Sequence, residues 1–92
     1  ANNDWLLIDV RSPQEFADGH IPGAVNMPHE NINDYLSELE GHKNKPIIIY
    51  CRSGRRAKLA MKVLEELDFS EVMHLEGDML GWSAAGMTVD RM

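Results

Sequence analysis

Ile47-Ile48-Ile49-Tyr50-Cys51-Arg52-Ser53-Gly54-Arg55-Arg56-Ala57-Lys58 is the stretch around which the rest of the chain is organised. Its opening run, Ile47 to Tyr50, is β-branched and aromatic, the composition of a strand buried on both faces. The run stops at Cys51, the only cysteine among 92 residues. A small polar turn containing Gly54 follows, and then a helical pattern begins. The thiol is therefore expected at the carboxyl end of a strand, facing the first turn of a helix whose backbone N–H groups lack intrahelical partners. Partial positive charge at such a helix start stabilises an anion and lowers the pKa of a thiol.

The charges after the cysteine strengthen this expectation. Arg55, Arg56 and Lys58 occupy the first turns of the helix, the end where cations are unfavourable. Arg52, Arg55, Arg56, Lys58 and Lys62 make up five of the nine basic residues in a chain of net charge −6. A bound anion would resolve so open a breach of the helix rule.

Size and composition set the frame. The length suits one small domain, residues 1–92, with a modest core. A hydrophobic share of 43% and a charged share of 26% are those of a soluble globular protein. The acidic balance argues against a nucleic-acid partner, because no basic face survives outside the Cys51 loop. No apolar run reaches membrane-spanning length, and no signal-peptide pattern is visible. One cysteine excludes an internal disulfide framework and a Cys-x-x-Cys pair, and so carries no information on compartment. The chain starts at Ala1, which fits a trimmed chain or a processed secreted one; periplasm and cytoplasm both stay open.

Outward from the central strand, Trp5-Leu6-Leu7-Ile8-Asp9-Val10 reads as a buried strand with Asp9 near its carboxyl end. Ser12-Pro13-Gln14-Glu15 then forms a capping box with proline at the first helical position, and the short helix ends at Asp18-Gly19. Ala24-Val25-Asn26-Met27 is a short strand stopped by Pro28. Ile32, Tyr35, Leu36 and Leu39 recur at helical spacing and predict an amphipathic helix over 31–40, ending at Gly41. After the Cys51 loop, Ala57, Ala60, Met61, Leu64 and Leu67 share one helix face. Val72-Met73-His74-Leu75 is the last strand, followed by a Gly-flexed turn and a small apolar helix at residues 76–82. The tail from Ala84 is weakly patterned. Strands alternating with helices predict an α/β sandwich around a parallel sheet, with ligands beyond the carboxyl ends of the strands. Both Asp9 and Cys51 belong there.

These residues resemble the rhodanese-like sulfurtransferases over nearly the whole chain. The resemblance rests on Leu7-Ile8-Asp9-Val10-Arg11 with Glu15-Phe16 and Gly19-His20-Ile21-Pro22-Gly23-Ala24, on the Cys51 loop, and on Leu75-Glu76-Gly77-Asp78-Met79-Leu80-Gly81-Trp82. In size the chain looks like the small bacterial stand-alone type, similar to the phage-shock thiosulfate sulfurtransferases. The family's Gly-Gly in the closing motif reads Gly77-Asp78 here, a departure expected to be tolerated. The resemblance implies a three-layer α/β/α sandwich whose small parallel sheet has the strand order 2-1-3-4. Since the chain begins at the Asp9 strand, four strands are expected in place of the five of longer members.

The resemblance also implies a chemistry: Cys51 takes sulfane sulfur from thiosulfate, holds it as a persulfide, and passes it to cyanide or a thiol. A thioredoxin-like protein is one candidate acceptor. The steps are ping-pong and need no metal or organic cofactor. Backbone N–H groups of residues 52 to 56 would cradle the sulfur anion. Arg52, Arg55 and Arg56 would attract the anionic donor, with Arg56 alternatively binding acidic surface residues. Ser53 and Gly54 shape the loop. Asp9 would orient the loop through backbone N–H groups or merely cap its strand. Arg11 supports the site, most simply by an ion pair with Glu15. The bland alternative for Cys51 is a small buried hydrophobe.

Two other functions compete. A cysteine phosphatase or arsenate reductase would want an arginine six positions after the nucleophile, but position 57 is Ala. A non-catalytic binding or regulatory module usually lacks the nucleophile, and Cys51 is present. His20, His29, His42 and His74 lack metal-ligand spacing. Trp82 reads as a packing anchor under the loop or beside its mouth, and the methionines as core filler.

Overall fold

In a computed structural model, which describes residues 5–92, β1 (Leu6–Asp9), β2 (Val25–Asn26), β3 (Ile47–Tyr50) and β4 (Val72–His74) form one parallel sheet. Their order is β2-β1-β3-β4, as expected. The helices are α1 (Pro13–Asp18), α2 (Leu36–Leu39), α3 (Arg55–Glu66) and α4 (Asp78–Ala84).

Alternation along the central strands sorts their side chains into two cores. Ile8, Val10, Ile47, Ile49 and Cys51 point one way, onto Ile32, Leu39 and the Ala57, Ala60 and Leu64 face of α3. Leu7 and Tyr50 point the other way, onto Ile21 and Met79, with Ile48, Leu75, Trp82 and Val89 packed around them. Helices thus cover both faces, the three-layer arrangement in which a parallel sheet is buried. Ile8, Ile47, Ile49 and Leu64 are all 0% exposed, and each contributes about 1.5–3 kcal/mol by leaving water.

Pairing places Leu7 beside Ile48 and Asp9 beside Tyr50. The two central strands therefore end level, and Val10 N–H continues the ladder by donating to Tyr50 O at 3.0 Å. This register brings the segments after Asp9 and after Tyr50 to the same edge of the sheet. The α1 capping box forms as expected, with Glu15 N–H donating to Ser12 Oγ and Ser12 N–H to Glu15 Oε1.

The predicted helix over 31–40 is not one helix. A 3-10 segment, His29–Tyr35, leads into the single turn of α2, and a second 3-10 segment, Glu40–His42, runs past Gly41. Asn31, Asn33 and Asp34 are poor helix formers whose side chains compete for backbone groups, and Pro28 precedes the segment. Spacing still chose the buried face, since Ile32 and Leu39 are 2% and 0% exposed. The weakly patterned tail is also structured. His20 and Asp90 exchange backbone hydrogen bonds at 2.9 Å, and Met92 N–H donates to Ala17 O.

Candidate active site

Cys51 leaves β3 into a loop that ends at Gly54, the N-cap of α3. Gly54 has φ +112°, a conformation that favours glycine, and this bend turns its N–H back toward the start of the loop. That N–H donates to Cys51 Sγ at 2.9 Å. Among the amides expected to cradle the sulfur, Gly54 supplies this hydrogen bond. Cys51 is 1% exposed, so the sulfur is recessed beneath the loop, with hydrocarbon behind it and an amide in front.

The loop is pinned from α4. Met79 N–H donates to Cys51 O and Leu80 N–H to Arg52 O, at 2.9 and 3.1 Å. Cys51 N–H donates to Asp78 Oδ1 at 3.0 Å, and His74 Nε2 lies 2.9 Å from both Asp78 carboxylate oxygens. Sequence reasoning missed these two residues, treating Asp78 as a tolerated departure and His74 only as a non-ligand. The usable signal was a carboxylate in place of a glycine, four residues after a histidine.

The basic residues separate into two kinds. Arg52 and Arg55 are exposed, and neither guanidinium has a carboxylate partner among the described residues. Arg56 instead makes a two-point ion pair with Glu15, at 2.6 and 3.1 Å. This hydrogen bond is the chief reason that the Glu15 carboxyl is lowered to about 2, and it raises Arg56 in turn. The bond joins the first turn of α1 to the first turn of α3. Ser53 is exposed.

The expected pairing of Arg11 with Glu15 is replaced by another. Arg11 folds back onto Asp9, its Nη2 at 2.7 Å from Oδ2 and its Nε at 3.0 Å from both oxygens. The same Nη2 donates to Gly19 O at 2.7 Å. Asp9 is 0% exposed and needs a counter-ion, whereas Glu15 is already engaged with Ser12 and Arg56. Burial by itself would lower the Arg11 pKa, but the hydrogen bond and charge of Asp9, together with the charges of Tyr50 and Glu15, outweigh it and the net shift is upward. Asp9 also accepts Arg11 N–H at 2.9 Å, so it caps its own strand end and is not bonded to the Cys51 loop.

A cavity of about 340 Å³ opens beside the loop, lined by Arg11, Glu15, Asp18, Gly19, Arg52, Met79, Leu80, Ser83, Val89 and Arg91. Trp82 is the packing anchor expected, set against the Leu7, Ile21, Tyr50 and Met79 core and not in the lining of the cavity beside the loop. It lines a separate apolar cavity with Trp5, Leu7 and Ile48, and its Nε1–H donates to Thr88 O. Ala57, at the position where a wide phosphate loop would carry arginine, is 0% exposed in the core.

The family profile described as a rhodanese-like domain matches residues 1–85. A protein named sulfurtransferase from Allochromatium vinosum is 36% identical over 86 residues, covering 94% of this chain and 78% of that protein. The thiosulfate sulfurtransferase GlpE of Pseudoalteromonas translucida is 34% identical over 82 residues, covering 89% of this chain and 76% of that one. A solved structure described as rhodanese with anions from E. coli superposes with a TM-score of 0.81 at 25% identity, covering 96% of this chain and 99% of that one. Other relatives are longer, and the chain spans 37%, 45% and 62% of three of them.

Proposed function

The chain belongs to the rhodanese-like domain family, and on that premise we propose that it is a sulfurtransferase that carries sulfane sulfur on Cys51. Thiosulfate is the proposed donor. The Cys51 thiolate attacks its outer sulfur, the donor S–S bond breaks, and its electron pair leaves with sulfite. The enzyme then holds a Cys51 persulfide. A thiolate or cyanide attacks the outer sulfur, the persulfide S–S bond breaks, and the Cys51 thiolate returns.

The observation that carries this reading is the Gly54 N–H aimed at Cys51 Sγ from 2.9 Å at the end of β3. A preorganised donor at a site of negative charge stabilises the anion with no reorganisation during reaction. Arg52 and Arg55 are proposed to draw in the donor and stabilise departing sulfite, since their guanidinium groups meet no competing carboxylate among the described residues. Arg56 has a fixed partner and is proposed to hold the helix start, not the donor. Ser53 and Gly54 complete the loop. The physiological acceptor is proposed to be a small thiol or a thiol protein.

The test is steady-state turnover with thiosulfate and cyanide varied together. Parallel double-reciprocal lines are expected, and Cys51→Ser should lower the rate by about 10³-fold or more, the scale of losing a nucleophile. Intersecting lines, or activity retained in Cys51→Ser, would refute the assignment. Hydrolysis of an aryl phosphate would favour the phosphatase alternative.

A further inference from the structure

We propose that Asp78 and His74 are a positioning pair that fixes the shape of the Cys51 loop; the chemistry it serves rests on the sulfurtransferase reading. Asp78 has φ +53°, in the left-handed region, next to Gly77 at φ +85°. A glycine would adopt that conformation without steric cost. Asp78 is also 2% exposed, and a buried carboxylate is unfavourable unless its oxygens are hydrogen-bonded. A residue that is strained and buried at once needs a local compensation.

That compensation lies at both ends of the loop. At the start, Cys51 N–H donates to Asp78 Oδ1 at 3.0 Å. At the end, Gly54 packs against the pair so closely that a Cβ on it would lie 3.0 Å from Asp78 Oδ2 and 3.3 Å from His74 Nε2. Gly54 is the residue whose N–H reaches the sulfur. The carboxylate therefore fixes where the loop begins, and the pair forms a wall behind the amide that meets the anion. A carboxylate this near an anion-receiving loop is electrostatically adverse, and donors aimed at its oxygens offset part of that field. His74 supplies one, with its ring nitrogen 2.9 Å from each oxygen. A carboxylate only accepts, so the imidazole donates there.

The experiment compares Asp78→Gly, Asp78→Asn and His74→Ala with the native chain. It uses single-turnover persulfide formation from thiosulfate and the rate of Cys51 alkylation by iodoacetamide at one pH. Asp78→Gly is expected to slow persulfide formation about tenfold, the scale of a misplaced reacting group, while half-saturating thiosulfate moves by less than about twofold. Its melting temperature should change little, because relief of the positive φ offsets the Cys51 N–H left without its acceptor. Asp78→Asn keeps an acceptor for Cys51 N–H and should recover to within about threefold of native, and His74→Ala should fall between the two. A native rate and native alkylation in Asp78→Gly would overturn the proposal, as would an Asp78→Asn no faster than Asp78→Gly. If the native chain formed no persulfide, the sulfurtransferase reading would fall, and alkylation rates would still judge the positioning role.

Discussion

Four arginines follow the ends of the two central strands, and their partners divide them. Arg11 and Arg56 are tied to Asp9 and Glu15 by contacts of 2.7 and 2.6 Å. Arg52 and Arg55, within the loop and at the first position of α3, extend into solvent without a carboxylate among the described residues. The bonded pair locks the sheet edge: Arg11 joins the end of β1 to Gly19, and Arg56 joins α3 to α1. The other two have their charge available. Proximity in sequence to the cysteine thus says less about an arginine's role than the carboxylate it does or does not meet.

The sharpest way to break this division is at Arg11. Arg11→Met leaves a buried, unpaired Asp9 and should cost about 3–5 kcal/mol of stability, read from urea unfolding. Adding Asp9→Asn should recover much of the loss, because the orphaned charge goes with it. A loss below about 1 kcal/mol, the level of an exposed pair, would remove Arg11 from the structural class.

Arg52→Ala with Arg55→Ala should do the reverse. Half-saturating thiosulfate should rise about tenfold, the scale of a lost charge-assisted hydrogen bond. Stability should stay within about 0.5 kcal/mol, as for surface substitutions. An unchanged specificity constant would show that free charge near the loop is not enough.

The smallest effect belongs to Glu15. Its carboxyl is lowered to about 2, mainly by Arg56, so the folded state holds the proton less tightly than the unfolded chain. The resulting stability is fully present above the ordinary carboxylate pKa near 4.5 and is lost as pH falls toward about 2. With 33% of the Glu15 side chain exposed, solvent screening limits the effect to about 1 kcal/mol or less. Glu15→Gln should flatten that part of the stability–pH curve, and a curve unchanged by the substitution would remove the pair's contribution.

The same contrast shows what the sequence could convey. The capping box and the placing of Cys51 at a strand end were legible because each rests on local pattern: a β-branched run, a Ser-Pro-x-Glu start, a glycine at a bend; the sheet order followed from the family resemblance and not from any local pattern. The interrupted helix over 29–42 was not, because apolar spacing reports the buried face and not the hydrogen-bond register. Arginine partners were illegible for a different reason. Glu15 and Arg56 are 41 positions apart and meet only because β1 and β3 end level. Asp78 lay between these cases, since its identity stood out but its bond to Cys51 N–H spans 27 positions.

The most direct test of the central claim, that a recessed sulfur facing the Gly54 amide is the carrier, is the mass of the chain after exposure to thiosulfate. The account predicts a gain of one sulfur atom, located on the peptide containing Cys51 and removed by cyanide. A mass unchanged by thiosulfate and by other sulfane-sulfur donors would contradict it.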